Sequence, residues 1–365
     1  MRLVGAPIIP FSAPLRPPLN TSQGRVATRE GFILKLVGDC GKVGLGEASP
    51  AYWIDGRPLA ETRAALEAIV TRLEGCRDAA VLRSAVLGEG AAGCLTPAAA
   101  CALDTALLDL EARSRDVGVA AILGAASQAP VPVSTLLTSQ TPENVAREAL
   151  VALERGYTVF KLKVGAGALE DDLANLNALR GATGASSFIR LDANRAWSFG
   201  QAVSALNAFG PEKIEFVEEP LGSCSPAELA RLRDAAGIAL ALDESVGSVT
   251  GLEAFCAERG PAPVIVLKAA RLGGPSRCLE IARAARAAGV AKIVVTDSIE
   301  SSVGMSAAIH LAAAVAAARP AAGLGGASFG FALTGGFGEG GSAHDAPWVA
   351  PCGPGLNVSL RHSES

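Results

Sequence analysis

The sequence lacks the residue patterns that hold soft metals or redox centres. It has three histidines (His310, His344 and His362), and they are not spaced as metal ligands. Its eight cysteines include no C-x-x-C pair. Neither a zinc ribbon nor a redox pair is therefore indicated, and reduced, buried thiols are the simpler interpretation. Any metal ion in this protein is expected to be a hard cation held by oxygen ligands.

Long apolar runs are also missing. No uninterrupted stretch reaches the roughly 18 apolar residues of a membrane span. The most apolar helix candidate, residues 306–318, contains His310 and ends before Arg319-Pro320, which predicts a buried helix. Prolines soon after Met1 spoil the apolar core of a signal peptide. We therefore expect no membrane partner and a cytoplasmic location.

A basic surface is lacking as well. The net charge is −4, and the lysines and arginines are dispersed along the chain. This excludes the usual electrostatic footprint of nucleic-acid binding and leaves a small molecule as the expected partner. Residues 88–93 match G-x-G-x-x-G, but no strand precedes them, so a turn between helices is favoured over a dinucleotide site.

What the sequence does contain is a series of short apolar runs that each end in a charged residue. The steps between successive charged ends are 29, 26, 25, 25 and 29 residues. A step of that size accommodates one strand, one helix and two loops. The charged ends are Lys163, Asp192, Glu218, Asp243, Lys268 and Asp297.

This repeat predicts an α/β barrel preceded by a smaller domain. Strand candidates begin near residues 131, 159, 188, 213, 239, 263, 292 and 321, and helices are expected between them. Residues 1–50 predict an antiparallel meander, followed by helices near 59–74, 77–87 and 96–112. We expect an α+β capping domain over residues 1–128, completed by the tail 333–365, and a catalytic barrel over residues 129–332.

Three carboxylates fall at the ends of consecutive predicted strands. Parallel barrel strands bring their carboxyl ends to one face, so Asp192, Glu218 and Asp243 should converge there. Three ionised carboxylates repel one another, and burial without compensation would raise their pKa values. A divalent cation resolves the repulsion, and oxygen ligands favour Mg²⁺, with Mn²⁺ as the alternative.

Two lysines flank this carboxylate group, Lys163 one strand before it and Lys268 one strand after it. The neighbouring Lys161 and a divalent cation would favour the neutral amine of Lys163, making it a usable base. The pattern predicts removal of a proton α to a carboxylate, with the resulting enediolate stabilised by positive charge. The alternative is that these charges are merely solvated strand ends, which five suitable residue types at successive strand ends disfavour.

These motifs resemble the enolase superfamily, in its muconate-lactonizing subgroup. The resemblance implies a modified (β/α)8-type barrel in (β/α)7β order with an α+β capping domain. It also implies Mg²⁺ on Asp192, Glu218 and Asp243, with Lys163 and Lys268 on opposite faces of the substrate. The motifs that carry it are Gly46-Glu47-Ala48-Ser49-Pro50, the helix 97–106, Lys161-x-Lys163, Asp192-Ala193-Asn194, Glu218-Glu219-Pro220, Asp243-Glu244-Ser245 and Lys268.

Within the subgroup the sequence is most similar to the o-succinylbenzoate synthases of menaquinone biosynthesis. The similar segments are residues 29–32, 190–197, 241–244 and 298–304. This resemblance implies a lyase in which Lys163 removes the proton, Lys268 acts as a cation, and water leaves. Residues expected to contact or support the substrate are Lys161, Asn194, Asp297, Ser298, Glu300, Ser301 and Ser302. Thr296-Asp297 and Tyr52-Trp53 depart from the family pattern.

Other functions stay open. A dipeptide epimerase or a muconate-type cycloisomerase would use the same carboxylates and lysines. The epimerases usually carry an Asp-x-Asp pair near the eighth strand, and residues 323–330 contain no acid. A mandelate-type racemase needs a His-Asp dyad, and a Schiff-base aldolase barrel would leave the carboxylates unexplained. A non-catalytic barrel is the simplest rival. The sequence allows a homo-oligomer but does not give its size.

Overall fold

The structure is a computed structural model that describes most of the chain. The described residues are 1–21, 24–52, 56–75, 78, 81, 84, 95–125, 131, 133–184, 186–212, 214–222, 225–247, 252, 256–257, 264–317, 327–328 and 353–358. The predicted helix near 77–87, the glycine motif at 88–93, Trp53 and most of the tail 333–365 lie outside these residues.

The amino-terminal part forms a four-stranded antiparallel sheet, as the meander pattern predicts. Strand β3 pairs with all three of the other strands. Its apolar residues Ile33, Leu34 and Leu36 are fully buried. The strands are β1 (Leu3–Gly5), β2 (Ile8–Thr21), β3 (Gly24–Gly38) and β4 (Val43–Ala48).

Helices α1 (Leu59–Gly75) and α2 (Pro97–Ser114) pack on this sheet, and the short α3 (Val119–Ile122) packs against α2. Helix α2 begins where predicted, because the Thr96 hydroxyl accepts the N–H of Ala99 and Pro97 occupies the first turn. It lies directly on β4, and a Cβ added to Gly46 would be 1.8 Å from the carbonyl oxygen of Ala102. Glycine is therefore required where the helix and strand backbones touch.

After this domain in the chain, eight parallel strands form a closed barrel. Their order around the barrel is β10-β11-β12-β5-β6-β7-β8-β9. The predicted (β/α)8-type barrel with an α+β capping domain is confirmed. The strands are β5 (Val133–Leu137), β6 (Val159–Lys163), β7 (Phe188–Asp192), β8 (Ile214–Glu218), β9 (Leu240–Leu242), β10 (Val264–Lys268), β11 (Lys292–Thr296) and β12 (Ala327–Ser328).

The barrel helices begin at the signals that the sequence provides. Ser198 and Ser225 each form a capping box with the residue three positions later. Gly237, in the left-handed conformation at φ 64°, ends one helix as predicted. The helices are α4 (Pro142–Glu154), α5 (Leu169–Thr183), α6 (Phe199–Phe209), α7 (Pro226–Ala236), α8 (Ala269–Leu272), α9 (Pro275–Ala287) and α10 (Ser302–Ala317).

A group of charged side chains lies near the amino-terminal ends of strands β8 and β11. The guanidinium of Arg190 is 2.6 Å from Glu215, which also binds Lys292, and it lies 5.1 Å from the ring centre of Phe216. Each charge in this group therefore has a partner of opposite sign. The opposite, carboxyl-terminal end is the one that carries the predicted site.

The apolar helix predicted at residues 306–318 is α10, and its centre is buried around His310. Burial lowers the pKa of His310 to about 4, so this histidine is neutral at pH 7. Within the described residues, no helix combines the length and apolar character needed to cross a membrane.

Two buried acids of α2 link distant parts of the chain. Asp104 accepts hydrogen bonds from the backbone and hydroxyl of Ser276 at the start of α9, each at 2.7 Å. Asp109 accepts the N–H groups of Leu45 and of Leu356 in the tail. Because the tail contacts α2, we propose a capping domain of residues 1–128 with the tail 333–365, and a barrel of residues 129–332.

Candidate active site

The three predicted carboxylates meet at the carboxyl-terminal end of the barrel. Asp192 ends β7, Glu218 ends β8, and Asp243 follows β9 directly. Strand register places Lys163 beside Asp192 and Asp192 beside Glu218. All three carboxylates are at least 96 % buried. Burial of three acids in one place requires nearby positive charge.

Lys161 supplies part of that charge. Its Nζ lies 2.8 Å from an oxygen of Asp192 and 2.8 Å from an oxygen of Glu218. Burial alone would lower the pKa of Lys161, but these two carboxylates outweigh burial and raise it. In turn, burial would raise the pKa of Asp192, but Lys161 and Lys163 lower it. Lys161 is therefore a fixed cation between two of the carboxylates.

Asp243 is held by two cations from the other side of the site. Lys268, the last residue of β10, contacts one carboxylate oxygen, and Arg271 in α8 lies 3.2 Å from the other. Burial would lower the pKa of Lys268, but Asp243 and Glu218 raise it. Arg271 was not among the site residues predicted from the sequence, although it is a basic residue one helical turn after a strand-end lysine.

Lys163 has different surroundings. It is half-buried at the end of β6 and, within the described part of the chain, its ammonium forms no ion pair. Burial lowers the pKa of Lys163; Asp192 opposes this shift, and the charges of Lys161 and Lys268 reinforce it. Lys163 thus faces the site without a carboxylate partner of its own, and a base needs an available amine.

Glu218 provides a test of whether a metal ion fits. Its Oε1 is buried and has no hydrogen-bond partner among the residues that the structure describes. Burial raises the pKa of Glu218 to about 7, with Lys161 acting against the shift and Asp192 and Asp243 adding to it. Among the described residues, no three acidic, histidine or cysteine side chains are already arranged around a metal position. The unpartnered oxygen and the all-carboxylate donor set nevertheless fit a hard divalent cation.

Residues next to the carboxylates hold them in place. Glu219, at φ 40°, accepts the N–H groups of Asp243 and Ser245 and fixes the start of that loop. The N–H of Asn194 donates to Asp192 at 3.1 Å, while the Asn194 side chain is exposed. Positive φ angles in non-glycine residues are uncommon and often mark functional loops.

The segment after β11, residues 297–301, is called the β11 loop. Its backbone donors are already used: Ser298 N–H donates to Glu300, and Ile299 N–H donates to Asp297. The N–H and hydroxyl of Ser301 both donate to Glu47 of the capping domain. Ser301 therefore faces Glu47, and its expected role in contacting or supporting the substrate stays a prediction.

The remaining expected contacts are distributed around this loop. The Oγ of Ser298 is buried without a hydrogen-bond partner among the described residues. Ser302 begins α10 and is half-buried. Tyr52 is exposed, whereas Trp53 and most of the glycine-rich segment 323–330 lie outside the described residues.

Two family models match the chain. One, described as "Enolase C-terminal domain-like", matches residues 144–364, and the other, "Mandelate racemase / muconate lactonizing enzyme, N-terminal domain", matches residues 4–124. Together they cover nearly all of the amino-terminal sheet with its helices, and the barrel except for its first strand, β5.

Individual relatives agree with these matches. A hydrophobic dipeptide epimerase of Enterococcus faecalis is 28 % identical over 82 % of this chain and 84 % of its own length. Muconate cycloisomerase 1 of Pseudomonas putida is 32 % identical over 57 % of this chain and 55 % of its own length. A dipeptide epimerase structure from Enterococcus faecalis V583, complexed with Mg and L-Leu-L-Tyr, has a TM-score of 0.83 and 25 % identity, covering 98 % of this chain and all of that one.

Three observations indicate the same family: the strand-end carboxylates and lysines, the barrel with its capping domain, and the two family matches. The chain belongs to the enolase superfamily of enzymes, with the amino-terminal domain of the mandelate racemase and muconate lactonizing group.

Proposed function

We propose that this protein removes a proton α to a carboxylate with the help of Mg²⁺. The observation that carries the proposal is the unequal pairing of its two strand-end lysines. Lys268 is bound to Asp243, whereas Lys163 has no ion pair in the described structure. One lysine is thus available to accept a proton, and the other is held as a cation.

Asp192, Glu218 and Asp243 are the residues that would hold Mg²⁺, with Mn²⁺ as the alternative. When bound there, the ion would supply positive charge to the carboxylate end of the substrate. Lys161, between Asp192 and Glu218, limits how much negative charge that end of the site carries. Glu219 keeps Asp243 in place through its backbone N–H.

Lys163 would take the α-proton on its Nζ, and Lys268 would stabilise the developing negative charge from the opposite face. The pKa of a carbon acid beside a carboxylate is very high, so this charge has to be stabilised as it forms. Arg271 would keep the Lys268–Asp243 pair oriented, because it binds the second oxygen of the same carboxylate.

The overall reaction that we propose is dehydration of 2-succinyl-6-hydroxy-2,4-cyclohexadiene-1-carboxylate to o-succinylbenzoate. Lys163 takes the proton from the carbon next to the carboxylate, the adjacent C–O bond breaks, and the hydroxyl leaves as water with one added proton. The ring becomes aromatic. A single base and a fixed cation suffice for this reaction, and the similar segments at residues 190–197 and 298–304 support it.

Epimerisation of a dipeptide is the second candidate. Epimerase relatives favour it, and so does the acidic character of the β11 loop, where Asp297 and Glu300 adjoin Glu47. A dipeptide carries an ammonium, which would be costly to bury without a carboxylate partner. In this reaction Lys163 and Lys268 would both have to exchange protons, one on each face. The same sites would serve a muconate-type cycloisomerisation.

Two measurements test this proposal. The first compares kcat/KM for the cyclohexadiene carboxylate, for L-Ala-L-Glu and for cis,cis-muconate, with Mg²⁺ present. The second follows substrate turnover in Lys268→Arg, which keeps the charge but replaces a compact ammonium with a planar fork. We expect preference for the cyclohexadiene substrate and a slowed variant. A dipeptide preference that is lost in Asp297→Asn would establish the epimerase instead.

A further inference from the structure

The β11 loop has a strained backbone next to the site. Ile299 has φ 63°, which is unfavourable for a β-branched residue. Register pairs Thr296, the last residue of β11, with Lys268 of β10. The loop that follows therefore borders the face of the site on which Lys268 lies.

Arg29 of β3 holds this loop from the capping domain. The side chain is 99 % buried, and its Nε donates to the carbonyl of Ile299 at 2.8 Å. The same guanidinium donates to the carbonyl of Pro50 at 2.6 Å and to those of Ser49 and Ser298. One side chain thus connects the capping segment after β4 with the β11 loop of the barrel.

Apolar packing reinforces this connection. The side chain of Ile299 packs against a small buried cluster formed by Leu15, Val26 and Ala51 of the capping domain. The left-handed conformation of Ile299 is therefore maintained by hydrogen bonds to its backbone and by contacts to its side chain. Both come largely from the other domain.

Glu47, at the end of β4, holds the other end of the loop. It accepts the N–H of Ser301 at 2.9 Å, the Ser301 hydroxyl, and the N–H of Gly304 at 3.0 Å. Its remaining capacity is used by the hydroxyl of Ser49 at 2.6 Å. A carboxylate at the start of α10 is also favoured by the helix dipole.

We propose that Arg29 and Glu47 are positioning residues that hold the β11 loop in its strained form, so that docking of the capping domain shapes the Lys268 side of the site. Neither residue touches the reacting atoms. They act through Ser298, whose buried Oγ has no partner among the described residues, and through the wall that the loop forms beside Lys268. This inference rests on the proposed function for its kinetic consequences but not for its structural ones.

The structural test is hydrogen exchange of the full-length protein without substrate. In Glu47→Gln and Arg29→Lys, amides within residues 297–304 should exchange at least tenfold faster than in the wild type. Arg29→Lys keeps the positive charge but replaces the planar guanidinium, which donates to several carbonyls at once. Ile299→Ala, which removes the side-chain anchor but keeps the Cβ that makes φ 63° unfavourable, should have the same effect without threatening the fold.

Asp104→Asn is the matched control. Asp104 is also a buried capping-domain acid that accepts an N–H and a hydroxyl from a barrel serine, but it acts at α9. It should lower the melting temperature without accelerating exchange in residues 297–304. Unchanged exchange in the Glu47 and Arg29 variants, or equal acceleration in the control, would overturn the proposal.

The kinetic test uses the cyclohexadiene carboxylate. KM should rise at least tenfold in Glu47→Gln, with Mg²⁺ affinity unchanged and kcat reduced less than threefold. A uniform loss of active protein would lower apparent kcat and leave KM unchanged, which would contradict the positioning role. If the wild type turns over none of the three candidate substrates, the proposed function fails, whereas the exchange result still tests the positioning role.

Discussion

Lys163 and Lys268 have the same side chain but different surroundings. Lys268 contacts Asp243 and is raised in pKa by that carboxylate and Glu218 against the effect of burial. Lys163 is half-buried without an ion pair in the described structure, and burial lowers its pKa. The two lysines thus differ in pKa and in ion pairing because their neighbours differ.

Replacement of Lys163 tests its role as the base. Lys163→Ala should slow exchange of the substrate α-proton with deuterated water by ~10²–10⁴-fold, because general bases contribute about that much. Proton NMR of the cyclohexadiene carboxylate measures the exchange. Binding of Mg²⁺, followed by calorimetry, should be preserved, and a variant that exchanges at the wild-type rate would assign the base elsewhere.

Asp243 tests the metal site. Asp243→Asn removes one negative oxygen donor and leaves Lys268 and Arg271 without their carboxylate partner. Mg²⁺ affinity should fall at least tenfold, and activity should fall with it. Full turnover by wild-type protein in excess chelator would contradict the assignment of the three carboxylates as metal ligands.

The strand-end acids and lysines could be predicted because a repeat of about one strand and one helix fixes where each run ends. The roles of Arg29, Glu47 and Arg271 could not, because their partners lie far away in the sequence, as with Arg29 and Ile299, 270 positions apart. The same reason explains Ser301, whose donors are used by a residue of the other domain. Local patterns report which element a residue belongs to, not which distant group it contacts.

Helix α2 lies in close backbone contact with strand β4 of its sheet. Gly44 and Gly46 of β4 face the backbone of Ala106 and Ala102. Thirteen residues of α2 are buried, so the helix is central to the capping domain. Its position also sets where Asp104 and Asp109 meet the barrel and the tail.

Gly46→Ala tests this contact. The added Cβ would be 1.8 Å from the carbonyl oxygen of Ala102, so the helix has to move away from the strand. We expect the free energy of unfolding to fall by about 1–3 kcal/mol, the usual cost of overpacking. Urea denaturation measures the change. In Gly200→Ala of α6 the added Cβ would meet no described atom beyond its own helix backbone within 4 Å, so this variant should be neutral or slightly stabilising.

Buried Glu300 should make the folded protein less stable as the pH rises towards 8. Burial raises the pKa of Glu300 to about 8 from its ordinary value of 4.5; Asp297 and Glu47 add to the shift, Arg29 opposes it, and Cys101 also faces this acid. Between pH 4.5 and 8 the folded state therefore holds a proton that the unfolded state releases. The contribution of Glu300 to the free energy of unfolding should therefore fall with pH in that window, by at most about 1.4 kcal/mol per pH unit.

Glu300→Gln removes this titration. The difference in unfolding free energy between the variant and the wild type should shift in favour of the variant as pH rises from 5 to about 8. Urea denaturation at several pH values, without added metal, measures it. Glu218 titrates in both proteins and cancels in the difference. A pH-independent difference would show that Glu300 is ionised throughout.

The contact between Asp109 and Leu356 has a consequence for biosynthesis. Leu356 is fully buried and donates to Asp109 from 247 positions further along the chain, while Gly355 exchanges backbone hydrogen bonds with Val117 and Val119. During translation the first domain emerges long before these partners. The acid on helix α2 therefore stays partly unsatisfied until the segment around Leu356 has left the ribosome, so the capping domain completes its folding only after the barrel has been synthesised.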